Sequence, residues 1–210
     1  MHDVQEEGLR ESKKRATRRE LSRTTRRLAL EHGYDAVTVE QVCSEVGVSV
    51  RTFHNYFASK DEAALGEDPP LATSEQRAAF LAGAPHGDLL ADLLALADTE
   101  PEPGLQDDVA ATFALAQREP RLLALWLGRV STREEELRSL VAERLGTDED
   151  DARCAAAAAL AMTTVRLAWT GWMAEPATGL RAHLDLVHEQ LRSLVAPAHA
   201  PAPETAGADR

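Results

Sequence analysis

Side chains that could contact a nucleic acid are concentrated between positions 49 and 60 of this 210-residue chain. Phe53 and Phe57 lie four residues apart and are expected to pack inward on one side of a short helix. The other side then presents hydroxyl, guanidinium, imidazole and amide groups, which form hydrogen bonds to base edges and to phosphates. The residues expected on that side or its rim are Val50, Arg51, Thr52, His54, Asn55 and Tyr56. This pattern predicts a helix that enters the major groove of DNA.

Residue patterns typical of enzymes and of metal sites are missing from the sequence. It contains no P-loop, no G-x-S-x-G, no H-E-x-x-H and no C-x-x-C. The seven histidines are scattered, and the four successive acids at 148–151 lack the spacing of a calcium loop. The sequence therefore predicts no catalytic residue, no metal and no cofactor. The alternative from another class is a helical binding or adaptor protein without sequence-specific DNA binding.

Two short helices joined by a tight turn would position the polar side chains. Thr38 and Gln41 match a capping box, which predicts a helix from position 39. Gly47 follows where that helix must stop, because glycine tolerates the left-handed conformation that such a stop commonly needs. Ser49 is a natural N-cap for a second helix running to about residue 57. The S-K-D-E segment at 59–62 forms another capping box, which predicts a third helix from position 60.

A strongly basic segment precedes these helices. Residues 10–27 contain nine Lys or Arg side chains against two acids, whereas the whole chain has a net charge of −12. Phosphate contact requires such a segment beside the recognition helix. A solvated helix face or a disordered arm is the alternative for an isolated charge run, but Leu21 and Leu28 lie within or next to this run with helical spacing. The expected phosphate contacts are Lys13, Arg15 and Arg18.

Residues 27–65, RLALEHGYDAVTVEQVCSEVGVSVRTFHNYFASKDEAAL, resemble the amino-terminal domain of TetR-family transcriptional regulators. The shared elements are H-G-Y, the T-V helix start, G-V-S and T-F-x-x-Y-F-x-S-K-D-E. The resemblance implies that Thr52 and Tyr56 hold the DNA backbone and that Lys60 contacts a phosphate. It also implies that Val50, Arg51 and His54 lie near base edges. Ser49 and Asn55 complete the predicted DNA-binding set.

The rest of the chain is predicted to be helical, so the fold class is all-α. Helices are expected over 74–81, 88–97, 105–118 and 120–145, then from a cap at Thr147 to about 173, and over 177–195. The acids at 148–151 are expected in the first turn of the helix that Thr147 caps. This predicts a three-helix, helix-turn-helix DNA-binding domain followed by a helical bundle for ligand binding and dimerisation. The predicted units are a flexible arm (1–12), the DNA-binding domain (13–65), the bundle (66–195) and a disordered tail (196–210).

The last two helices are candidates for a homodimer interface. The TetR resemblance implies that the two carboxy-terminal helices of each subunit pair with those of a second subunit. The alanine-rich face at 154–161 and the leucine stripe at 180–194 suit that role, because small residues let helices approach closely. The alternative is that both faces belong to the internal core. A dimer would hold two recognition helices roughly 34–36 Å apart on palindromic DNA, or at a multiple of that distance.

The bundle is loosely similar to that of mycofactocin-associated regulators, through REPRLLALWL, EELRSLVAERLGTDEDDAR and RLAWTGW. This similarity implies a bulky, partly apolar small-molecule effector, such as an acyl-coenzyme A. Trp and Met can enclose an apolar ligand, and a semi-buried Arg could meet a carboxylate or phosphate. The alternatives are core packing for the apolar residues and a structural salt bridge for Arg166. The predicted effector-binding residues are Phe113, Leu123, Trp126, Arg129, Met162, Thr163, Arg166 and Trp169.

Together these features predict a homodimeric repressor that binds a palindromic operator and is released by an effector, with a TetR-type activator as an alternative. No run approaches the roughly 20 apolar residues that span a bilayer. The amino terminus is polar and lacks the apolar core of a signal peptide. The two cysteines, Cys43 and Cys154, suit a reducing interior. A cytoplasmic protein without a membrane partner is expected.

Overall fold

The computed structural model describes residues 2–68, 70–97 and 104–195 of the chain. All regular structure within them is helical, which confirms the predicted fold class. The predicted tail at 196–210 lies outside the described residues. The helices are α1 (His2–His32), α2 (Val39–Val46), α3 (Val50–His54), α4 (Lys60–Leu65), α5 (Ser74–Leu81), α6 (Leu89–Leu96), α7 (Leu105–Arg118), α8 (Pro120–Leu145), α9 (Ala152–Ala174) and α10 (Leu180–Val195), with a short 3-10 turn at Pro176–Thr178.

The first helix begins much earlier than the sequence suggested. A flexible arm was expected over 1–12, but α1 is helical from His2 and continues without a break to His32. The reason is local, since residues 2–32 contain no proline and are rich in Arg, Lys, Glu and Leu. These residue types lose little conformational freedom in a helix.

The boundary between α8 and α9 corrects a second expectation. Pro120 occupies the first turn of α8, and Gly146 ends that helix in the left-handed conformation, so the predicted range of 120–145 is confirmed. Thr147 does not cap α9. Asp151 is the N-cap, because its carboxylate accepts a hydrogen bond from the Arg153 amide at 2.9 Å. The other acids form a turn instead of the first helical turn, with the Asp148 carboxylate accepting from the Asp150 amide at 2.9 Å.

Two hydrophobic cores hold the helices together. The first contains buried residues of α5, α6, α9, α10 and the second half of α8, including Phe80, Leu140 and Ala158. The second fills the space among α1 to α4 and also includes Leu115, Ala116 and Leu122. These three residues form the α7–α8 corner, which packs against α1 and α4. The predicted boundary at 65/66 is therefore not a break in packing.

The spacing of Leu123, Trp126, Val130, Leu137 and Val141 predicts one buried stripe along α8, and the shared core changes it. Leu137 and Val141 are buried as predicted, but Leu123, Trp126 and Val130 are only half-buried. Leu122 is the buried residue near the start of the helix, at 1% exposure. The stripe shifts because the first turn of α8 packs on the DNA-binding domain whereas its last turns pack on α9.

The faces expected at the dimer interface lie partly inside the subunit. Ala157, Ala158 and Ala161 are buried in the first core, together with Leu180 and Leu184 of the leucine stripe. They are buried because α9 and α10 of the same chain pack against each other. At the far end of the stripe, Leu194 is 78% exposed. For these buried residues, the alternative interpretation, in which the faces belong to the internal core, is therefore the correct one.

The packing of α10 on α9 depends on a small residue at position 171. A Cβ atom added to Gly171 would lie 2.7 Å from Nδ1 of His183, which is buried and whose Nε2 is 3.3 Å from the Glu175 carbonyl oxygen. Gly171→Ala should therefore lower the free energy of unfolding by about 1 kcal/mol, since overpacking outweighs the gain in helix propensity. Gly128→Ala is the matched control, because a Cβ there meets nothing within 4 Å. That variant should raise the free energy of unfolding by about 0.5–1 kcal/mol in urea titrations, and equal gains for both would contradict the prediction.

Candidate nucleic-acid interface

The turn between α2 and α3 is formed by the residues that the sequence indicated. Thr38 and Gln41 make both hydrogen bonds of the capping box that starts α2. Gly47 adopts a left-handed conformation with φ of 77°, and its amide donates to the Cys43 carbonyl. The Ser49 hydroxyl accepts from the Thr52 amide at 3.0 Å and thereby starts α3. These local bonds fix the angle at which α3 leaves α2.

The recognition helix α3 begins at the predicted place but ends earlier than predicted. Regular helix stops at His54, whereas an end near residue 57 was expected. The Tyr56 amide donates to the Phe53 carbonyl three residues back, so the last turn tightens. The Phe57 amide still bonds the Phe53 carbonyl at 2.9 Å. The tightened turn brings both phenylalanines into the core, with 0% and 1% exposure.

The outer side of α3 carries the predicted contact residues. Arg51, His54 and Asn55 are exposed, as is Ser49 at the N-cap, whereas Val50, Thr52 and Tyr56 are half-buried at the rim. The His54 ring stands edge-on to Phe53 with centroids 5.5 Å apart. One short surface therefore presents a guanidinium, an imidazole, an amide and three hydroxyl groups. Such a set can contact both base edges and phosphates.

Lys60, at the start of α4, is held by the loop between α1 and α2. Its ammonium donates to the carbonyl oxygens of Tyr34 at 2.6 Å and Val37 at 2.7 Å. It also lies 4.0 Å from the centroid of the Tyr34 ring. An ammonium group has three donors, so one N–H is left for a phosphate. The predicted phosphate contact is thus compatible with a second task, which is to tie α4 to that loop.

The capping box predicted before α4 forms only in part. The Ser59 hydroxyl accepts from the Glu62 amide, and α4 begins at Lys60 as expected. The Glu62 carboxylate, however, accepts from the Ala58 amide at 2.7 Å and not from Ser59. Glu62 is also 3.8 Å from the Arg18 guanidinium, which draws its side chain towards α1.

The basic segment on α1 divides between the surface and the interior. Lys13 and Arg15 are exposed, as a phosphate contact requires. Arg18 is half-buried over the Phe57 ring, 5.0 Å from its centroid, and pairs with Glu67 at 3.3 Å. Arg23 and Arg26 face the second domain. The structure therefore gives part of the predicted phosphate-binding run an internal role.

The residues that join the two domains were not indicated by the sequence. Asp108 on α7 binds Arg26 at 2.5 Å and Arg23 at 2.9 Å. Burial lowers the pKa of Arg26, and the Asp108 carboxylate opposes that shift. Arg23 is more exposed, and its hydrogen bond with Asp108 raises its pKa. The sequence offers no signal for these pairs, because their members lie more than 80 positions apart.

Gly66, directly after α4, lies between two arginines at this junction. Its backbone has φ of 79° and ψ of −162°, a region that is essentially confined to glycine. The Arg129 guanidinium donates to its carbonyl at 3.2 Å, and Nη1 of Arg26 would be 3.1 Å from an added Cβ. Arg129 was predicted to bind an effector, but here it links α8 to the end of α4.

The other predicted effector residues do not converge on one cavity. Phe113 is 48% exposed and contacts Trp126 edge-on, with ring centroids 6.1 Å apart. Met162 and Trp169 pack against the first core, while Trp126 packs against the second. Arg166 is exposed, and Leu123 and Thr163 are half-buried. A cleft of about 190 Å³ between α6 and α10 contains none of the eight residues, and its lining includes His86, Arg181 and His188.

The described residues provide neither a metal-binding cluster nor a membrane-spanning helix. They contain no group of three or more His, Cys, Asp or Glu side chains placed to hold a metal ion. No helix among them is both long enough and apolar enough to cross a membrane. Cys43 and Cys154 are buried free thiols, and burial raises the pKa of Cys43.

Comparison with known proteins decides the family. The family model described as "Bacterial regulatory proteins, tetR family" matches residues 21–63, from within α1 into α4. The HTH-type transcriptional regulator TcmR of Streptomyces glaucescens is 38% identical over 154 residues, which cover 69% of this chain and 67% of that protein. The chain belongs to the TetR family. It is a transcriptional regulator with a helix-turn-helix DNA-binding domain, and not an enzyme, which confirms the class predicted from the sequence.

A transcriptional regulator from Rhodococcus sp. Rha1, whose structure has been solved, is 18% identical in sequence to this TetR-family protein. The alignment covers 84% of this chain and 96% of the other, with a TM-score of 0.44.

Proposed function

We propose that this TetR-family protein is a homodimeric repressor that binds a two-fold symmetric operator and leaves it when a small molecule binds the helical bundle. The observation that carries the proposal is the polar face of α3, held over two fully buried phenylalanines. A rigid surface of this kind reads a half-site. A second subunit reads the matching half-site, since one short helix alone would bind weakly.

Exposed apolar residues on the last two helices support the dimer. Leu160 and Leu167 lie seven residues apart on one face of α9 and are 42% and 38% exposed. On α10, Leu186 and Leu194 are 54% and 78% exposed. These residues, and not the buried alanines and leucines of the same helices, are the ones that a second copy would cover.

The packing of the α7–α8 corner supports release by an effector. A partly apolar ligand that entered between the bundle helices would displace the half-buried side chains of α7 and α8, such as Trp126. The corner packs on α1 and α4, so its displacement would reorient the DNA-binding domain. If the distance between the two recognition helices of a dimer changes, both helices can no longer contact their half-sites at the same time.

The test is to select binding sites for the purified protein from a random DNA pool. The selected fragments should be two-fold symmetric, and binding should be in the nanomolar range and should weaken steeply with salt. Light scattering should give the mass of two chains in solution. A strictly monomeric protein, or one with no preference for any symmetric fragment, would contradict the proposal.

Two variants should separate base reading from backbone contact. Arg51→Ala should relax base preference at one position of each half-site, because a guanidinium can bond a guanine edge in two places. Tyr56→Ala should instead weaken binding about tenfold on all fragments, since a phosphate contact carries no sequence information. Fluorescence anisotropy on the selected site and on single-base variants of it measures both effects. Unchanged affinity of Tyr56→Ala would exclude α3 as the contact surface.

A further inference from the structure

A buried carboxylate in the DNA-binding domain has its cationic partner in the other domain. Asp61, the second residue of α4, is 7% exposed. Its Oδ2 pairs with the Arg121 guanidinium at 2.5 Å, and Arg121 lies in the first turn of α8. Its Oδ1 accepts a hydrogen bond from the Tyr34 hydroxyl. Because a buried charge is costly without partners, these two contacts hold Asp61 in place.

Tyr34 connects this carboxylate to Lys60. Its hydroxyl donates to Asp61, whereas its carbonyl oxygen and its ring face the Lys60 ammonium, at 2.6 Å and 4.0 Å. Tyr34 itself is 5% exposed, so it has little freedom to move independently. Burial, and then the hydrogen bond to Asp61, raises the pKa of its hydroxyl, so this group stays protonated and remains the donor. A continuous series of contacts thus runs from α8 to the amino end of α4.

We infer that Arg121 is a positioning residue for DNA binding, which acts through Asp61 and Tyr34 on the ammonium of Lys60. This inference rests on the proposed function, because it assigns the route by which the bundle controls the operator contact. Arg121 is 77% exposed, so its side chain fills no core position, but without it Asp61 loses this ion pair. Tyr34 is then restrained by less, and Lys60 loses its fixed direction. A movement of α8 on effector binding would have the same consequence.

A double-mutant cycle between Arg121 and Lys60 tests the inference. Arg121→Ala should weaken binding to the selected operator about twofold to threefold for each half-site, the size expected for an ion pair whose arginine is largely exposed, and therefore about fourfold to tenfold for a dimer. The loss should disappear in a Lys60→Ala background, where no ammonium remains to be positioned. Arg121→Lys, which keeps the charge, should restore most of the affinity.

The salt dependence gives a readout that a merely structural role would not change. Each phosphate contact contributes about 0.9 to the slope of log affinity against log salt. Arg121→Ala should therefore flatten that slope in the direction of Lys60→Ala. Arg118→Ala is the control, because Arg118 is exposed, carries the same charge and lies at the end of α7. It should leave the affinity unchanged.

The two proposals fail in different ways. Wild-type protein is measured first, and the absence of binding to any symmetric fragment would overturn the proposed function. If wild-type protein binds and Lys60→Ala weakens it, additive losses from Arg121→Ala and Lys60→Ala would overturn the positioning role alone. An unchanged affinity of Arg121→Ala would do the same.

Discussion

Replacing Asp108 by alanine should lower the free energy of unfolding by about 3 kcal/mol, the low end of the range for breaking a buried ion pair. The Arg26 side chain is 5% exposed and has Asp108 as its carboxylate partner at 2.5 Å. Without that partner its guanidinium keeps a contact of 3.4 Å to the Ala64 carbonyl, which compensates little of a buried charge. Urea unfolding followed by circular dichroism measures the loss.

Asp107→Ala is the control for this prediction. Asp107 lies beside Asp108 in the first turn of α7 but is exposed. Both variants remove an acid from the positive end of the same helix, so both lose the same favourable interaction with the helix dipole. Asp107→Ala should change the free energy of unfolding by about 0.5 kcal/mol or less. Equal losses for the two variants would show that the pair with Arg26 contributes nothing beyond the dipole.

Replacing Gly66 by alanine should lower the free energy of unfolding by about 2–3 kcal/mol. The φ of 79° with ψ of −162° costs any other residue about 1–3 kcal/mol. The new Cβ would also lie 3.1 Å from Nη1 of Arg26, so that buried guanidinium must shift. Both effects act at the junction between the domains, where Arg129 bonds the Gly66 carbonyl.

Gly146→Ala separates the cost of a left-handed backbone from the cost of this particular junction. Gly146 ends α8 with φ of 63° and ψ of 37°, and an added Cβ there meets nothing within 4 Å. Its replacement should cost about 1 kcal/mol, the usual penalty for a side chain in that conformation. Parallel chemical denaturation of both variants gives the comparison. A Gly66→Ala variant as stable as Gly146→Ala would argue against the crowding by Arg26.

Local rules predicted most of the helix-turn-helix. Capping pairs, a glycine stop and a spacing of four between Phe53 and Phe57 act within one or two turns, so the sequence displays them directly. The bounds of α8 follow for the same reason, because Pro120 and Gly146 limit the chain wherever it folds. The start of α9 was missed, since Asp148 and Thr147 had a competing turn available.

What the sequence could not supply were partners that are distant along the chain. Arg26 and Arg121 looked like surface charges, but their carboxylates come from helices about 60 to 80 positions away. The stripe on α10 showed that one face would be buried, but not whether α9 of its own chain or a second copy would cover it. The predicted effector residues were ambiguous for a similar reason, because Trp and Met side chains are as common in a hydrophobic core as in a ligand pocket. Their role stays a prediction.

The second hydrophobic core limits how this regulator can be dissected or recombined. Leu115, Ala116 and Leu122 complete the packing around α1 and α4, so a fragment that stops at Leu65 would leave apolar surface exposed to water. Such a fragment should aggregate or stay molten, and should not serve as a minimal operator-binding module. A chimera that exchanges operator specificity between relatives would need to transplant these three residues along with the amino-terminal helices.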